Sequence, residues 1–60
     1  MKLIKGHYFA IVKESQSNCQ IIEVSQSERI INKQLKKYPV YNIYVINSKN
    51  ELLTKLTNNS

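Results

Sequence analysis

The sequence predicts a small α+β domain: an antiparallel sheet of three or four strands with one helix on one face, in the order ββαβ(β). Three observations predict it. Residues 25–38 carry apolar side chains at helical spacing and run into a proline. Residues 6–14 and 19–24, rich in aromatic and β-branched types, flank the four polar residues 15–18. A third such stretch, 40–46, follows the proline. No linker or internal repeat divides the chain, so residues 1–60 read as one domain, with 57–60 expected to fray.

The first strand is G-H-Y-F-A-I-V-K-E and the second C-Q-I-I-E-V. Register decides which face is core, because a one-residue slip turns every side chain over. A four-residue loop pairs Glu14 with Cys19, placing Phe9, Ile11, Ile22 and Val24 on one face and Tyr8, Ala10, Val12 and Ile21 on the other. A three- or five-residue loop would join Tyr8, Ala10 and Val12 with Ile22 and Val24 instead. The second face stays apolar in either register, whereas a half-solvated antiparallel sheet alternates with polar residues. It therefore calls for cover, from another chain or from the C-terminal segment.

In the helix, Ser25 as N-cap and Glu28 three residues on fit a capping box. Glu28 suits the positive end of the helix dipole, and Lys36 and Lys37 the negative end. Pro39 stops the helix at Tyr38. At 100° per residue, Ile30, Ile31, Gln34, Leu35 and Tyr38 share one side, while Arg29, Lys33, Lys36 and Lys37 share the other. In the third strand Tyr41, Ile43 and Val45 face the helix, and Val40, Asn42, Tyr44 and Ile46 face away. Two readings fit 48–57. Ser48 with Glu51 opens a short helix, or Ser48–Lys49–Asn50 is a three-residue hairpin loop with Asn50 left-handed and 51–56 a fourth strand. The hairpin is preferred, since so short a helix is marginal alone. The expected core is Phe9, Ile11, Ile22, Val24, Ile31, Leu35, Ile43 and Val45.

A domain of sixty residues buries only about 60% of its unfolded surface, and such small scaffolds lean on disulfides, metals or a partner. The single cysteine, Cys19, excludes an internal disulfide, and with one histidine, His7, it cannot make a four-ligand zinc site. No metal or cofactor is expected. An unpaired thiol points to a reducing cytoplasm. M-K-L-I-K-G-H lacks the apolar run of a signal peptide, and no stretch is long enough for a membrane helix.

Catalysis is not expected. Cys19 and His7 lie far apart on the proposed hairpin, the glutamates are scattered, and one glycine builds no phosphate loop. What remains is charge. Nine Lys/Arg stand against four Glu, giving a net charge of +5 and a pI near 9.6. Such a balance bears on partners rather than on fold. Arg29, Lys33 and Lys36 recur at i, i+4 and i+7, Lys37 widens the stripe, and no acid interrupts it after Glu28. Four tyrosines are available for stacking or interface contacts, and Tyr44 and Asn42 share the sheet face away from the helix.

The chain is thus expected to be a non-catalytic binding module for an anionic partner, a nucleic acid or the nucleic-acid-binding surface of a protein. Arg29, Lys33, Lys36, Lys37, Asn42 and Tyr44 are the candidate partner-binding residues. Size, charge and the abundance of A/T-rich codon types (Ile, Asn, Lys) fit a phage-type inhibitor or regulator. The alternative is a homo-oligomeric interaction module, a homodimer for instance, whose charge only confers solubility. The hairpin–helix–hairpin outline recurs in many unrelated small proteins, and no motif here singles out one family. With one sound helix, helix-turn-helix is not expected.

Overall fold

A computed structural model describes residues 3–57 of the 60-residue chain. Strand β1 is His7–Glu14, β2 is Cys19–Ser25, helix α1 is Glu28–Leu35, β3 is Asn42–Asn47 and β4 is Leu52–Lys55. The strands form one antiparallel sheet in the order β2-β1-β3-β4. The helix lies over β2, β1 and β3. This is the expected α+β architecture with the fourth strand present.

Gly6 precedes β1 with φ +86, in a turn closed by the His7 N–H donating to the Ile4 carbonyl at 3.0 Å. That left-handed position suits glycine. The first hairpin pairs Glu14 with Cys19 across residues 15–18. The Ser15 N–H donates to the Asn18 carbonyl at 2.9 Å, and its hydroxyl to Asn18 Oδ1 at 2.9 Å.

Further along, the register changes. Val12 faces Ile21 but Ile11 faces Glu23, so Ile22 is the extra residue of a β-bulge. The shift corrects the expected core. Val24 stands opposite Ala10 on the face away from the helix and is 47% exposed, while Ile22 stays on the helix side. Sequence parity alone carries no sign of an inserted residue.

The helix is shorter than expected at both ends. Its N-cap is Ser27, whose Oγ accepts from the Ile30 N–H at 3.3 Å. Ser25 is instead the last residue of β2, paired with Phe9, and its Oγ accepts from the Ser27 N–H at 3.0 Å. The strand ladder thus holds Ser25, and the expected Ser25–Glu28 capping box gives way to a cap two residues later. Glu28 still lies in the first turn, where the dipole favours it. At the other end Lys36 is the C-cap, and the Lys37 and Tyr38 N–H groups donate to the Gln34 and Leu35 carbonyls at 3.0 and 2.9 Å, tightening the exit. Tyr38 to Tyr41 then form a turn with Pro39 at its second position, closed by a 3.0 Å bond from the Tyr41 N–H to the Tyr38 carbonyl. That turn takes Val40 and Tyr41 out of the expected third strand, which begins at Asn42.

The second hairpin turns through Ser48, Lys49 and Asn50, with Asn50 left-handed at φ 63. Asn47 Oδ1 anchors it, accepting from the Lys49 and Glu51 N–H groups at 2.9 and 3.0 Å. A second bulge follows: Val45 faces Thr54 but Ile46 faces Leu52, so Leu53 is the extra residue. Of the tail expected to fray, Thr57 is held to β3: its Oγ1 accepts from the Ile43 N–H at 2.9 Å. Residues 58–60 lie outside the described residues.

Two cores result. On the helix side Phe9, Ile11, Ile31, Ile43 and Val45 are buried, with Ile22, Leu35, Tyr38 and Tyr41 packed against them. On the other side Ala10, Val12 and Ile46 are each 0% exposed, flanked by Tyr8, Ile21, Tyr44 and Leu52. The cover expected for this face comes from the chain's own rim, including Leu52 of the C-terminal segment. Bulges in both outer pairings add to the twist that curls such a sheet. Among the described residues no helix is long and apolar enough to cross a membrane.

Ile30, expected on the core side, is 51% exposed, whereas Ile31 is buried. Ile31→Ala should therefore cost about 2–5 kcal/mol, against a total stability of roughly 3–9 kcal/mol for a chain this size. Ile30→Ala should change stability by less than about 0.5 kcal/mol. Urea denaturation followed by circular dichroism measures both, and equal losses would place the helix on a different face.

Candidate partner-binding surface

The helix seats its inner side through Ile31 and Leu35, which turns the basic stripe outward. Arg29, Lys33, Lys36 and Lys37 are all exposed. Arg29 and Lys33 belong to α1, Lys36 caps it, and Lys37 lies in the tightened exit. These four candidates come together as one surface. It spans about 12 Å, roughly eight helical rises of 1.5 Å each.

Asn42 and Tyr44 do not join it. They lie on the opposite face of the sheet: Asn42 faces Val12 and Tyr44 faces Ala10. Both are engaged there. Glu14 Oε1 accepts hydrogen bonds from the Tyr44 hydroxyl and, at 3.4 Å, from Asn42 Nδ2. Lys55 Nζ lies 3.5 Å from the same oxygen. Asn42 is 1% exposed, and its Oδ1 accepts from the Thr57 hydroxyl at 3.2 Å. A buried amide without partners costs a few kcal/mol, so these bonds are a structural requirement. They clamp β1, β3, β4 and Thr57 at one end of the sheet.

Sequence reading missed Glu14, Lys55 and Thr57 in this cluster. They are distant in sequence, and only the β1–β3 and β3–β4 registers bring them together. The cluster's electrostatics follow from its bonds. The hydrogen bond from Tyr44 is the main influence holding the Glu14 carboxyl below its usual 4.5, with Lys55 adding to it against some desolvation. The same bond is the main reason why the Tyr44 hydroxyl is pushed up from 10.0 to about 12, with burial and the Glu14 charge contributing. Tyr44 thus stays a neutral donor.

The remaining tyrosines are also occupied. Tyr38 and Tyr41 stack on each other, ring centroids 5.2 Å apart and planes 4° from parallel, against the helix-side core. Tyr8 flanks the other core.

His7 and Cys19 stand at opposite ends of β1, because Cys19 pairs with Glu14. Seven residues of strand separate them, about 24 Å at 3.4 Å per residue. They form no dyad. Among the described residues no three His, Cys, Asp or Glu side chains cluster to hold a metal ion. Compared with protein-family models, with curated proteins and with solved structures, the chain matches none.

The clamp predicts two pH limbs. A carboxyl lowered by folding stabilises the fold above pH 4.5, and the contribution is lost as pH falls through the folded value. A hydroxyl raised by folding stabilises it below pH 10.0, and that is lost as pH rises towards about 12. Melting temperatures across pH should show Glu14→Gln weakening the acid limb and Tyr44→Phe the alkaline limb. Unchanged profiles in both variants would mean that the clamp is not formed in solution.

Proposed function

We propose that this chain is a small non-catalytic binding module whose helix-borne cations dock an anionic partner. The observation that carries the reading is the gathering of Arg29, Lys33, Lys36 and Lys37 on the outer side of α1 and its exit. Four of the chain's nine cations share one short surface. Their mutual repulsion is a cost that a partner of opposite sign would relieve. Asn42 and Tyr44 leave the candidate surface, since the clamp uses them.

Nucleic acid and acidic protein both fit this sign. A nucleic-acid-binding groove of another protein fits less well, because such grooves are themselves basic. The regulator or inhibitor role then means occupying an acidic surface. The exposed, unpaired thiol of Cys19 keeps the reducing cytoplasm as the proposed compartment. Self-association is a second reading. It rests on Val24 and Leu53, half-exposed apolar residues on the two edge strands.

Two measurements test these readings. Lys33→Glu with Lys36→Glu should elute from heparin at much lower salt than wild type. Lys5→Glu with Lys49→Glu, an equal change of charge elsewhere, should shift elution little. Equal shifts would reduce the stripe to net charge. Light scattering decides self-association, and a mass of 7.0 kDa at micromolar concentration would remove that reading.

A further inference from the structure

The helix surface carries more than charge. Ile30 is 51% exposed, and at 100° per residue it falls beside Lys37 and Lys33 on the flank of the stripe. A single exposed aliphatic residue is ordinary, but here it borders a group of four cations, Arg29, Lys33, Lys36 and Lys37. The aromatics are unavailable for stacking on this side. Tyr38 and Tyr41 stack on each other against the core, and the Tyr44 hydroxyl is bound to Glu14 on the opposite face. Single-stranded nucleic acid binds through aromatic platforms together with charge, and among the described residues this surface offers none. Nor is the helix N-terminus open to a phosphate, because Ser27 caps it and Glu28 adds negative charge in the first turn. An aliphatic side chain beside cations at i, i+4 and i+7 matches a different ligand, one with carboxylates at the same helical spacing and an apolar row next to them.

We propose that the partner is an acidic amphipathic helix of another protein. It lies along α1, its carboxylates pairing with Arg29, Lys33, Lys36 and Lys37 and its apolar row covering Ile30. This rests on the reading of the stripe as an anion-docking surface and names the class of anion. The pairing resembles the flanking charges and apolar seam of two-stranded helical contacts. Charge supplies orientation and encounter rate, and Ile30 supplies area that leaves water.

The test uses fluorescence anisotropy with three probes. They are a synthetic helical peptide with Glu at i, i+4 and i+7 beside a row of Leu, a scrambled peptide of the same composition, and a mixed-sequence DNA duplex. The patterned peptide should bind in a salt-sensitive manner, at least roughly tenfold tighter than the scrambled one. Ile30→Ser should weaken that binding by roughly tenfold, the equivalent of one buried aliphatic side chain. Lys33→Glu with Lys37→Glu should abolish it. Tighter binding of the duplex, equal binding of the scrambled peptide, or no effect of Ile30→Ser overturns the helix as partner. If duplex binding is lost on reversing the lysines, the anion-docking reading survives that failure. Absence of stripe-dependent binding to every probe overturns both.

Discussion

The fold depends on one strand being buried on both faces. Phe9, Ala10, Ile11 and Val12 of β1 are all sealed from solvent, which forces β1 into the interior of the sheet with a neighbour on each side. Its two odd residues enter the helix-side core and its two even residues the opposite one. A chain of sixty residues has too little material for two deep layers. Here the helix covers one face, while side chains of the other three strands close the second. The bulges at Ile22 and Leu53 belong to this economy, since a flat sheet would leave the second face open.

Burying both faces brings a polar problem at the end of the sheet. Asn42 faces the fully buried Val12, so its amide cannot reach bulk water and must be satisfied internally. Glu14 and Thr57 satisfy it, and Glu14 in turn gathers Tyr44 and Lys55. The cluster has the composition of a reactive site, a carboxylate with a phenol, an amide and an amine. Its polar contacts describe a clamp that closes β4 and Thr57 onto β1 and β3.

This division of labour separates the two sides of the molecule. The face away from the helix spends its polar groups on one another. The outer side of α1 holds its cations in solvent, above an inner side anchored by Ile31 and Leu35. A helix of eight residues is too short to be stable alone, so the sheet that seats it also holds the stripe. Core packing and the placing of the cations are thereby coupled through about two turns of helix, and loosening Ile31 would disorder the charges as well.

By itself the sequence determined what depends on neighbours along the chain: the hairpin across residues 15–18, the left-handed Asn50 and the outward grouping of Arg29, Lys33, Lys36 and Lys37. Turn chemistry and helical period are local, so they are legible in one dimension. The tertiary structure alone decided that Val24 leaves the core, that Ser27 rather than Ser25 caps the helix, and that Asn42 and Tyr44 bond Glu14 on the face away from the helix. Each of these turns on strand pairing. One bulge inverts the side chains beyond it, a ladder bond to Phe9 keeps Ser25 extended, and the β1–β3 register carries Glu14 to residues far along the chain. No periodicity within a strand encodes which residue of another strand lies opposite.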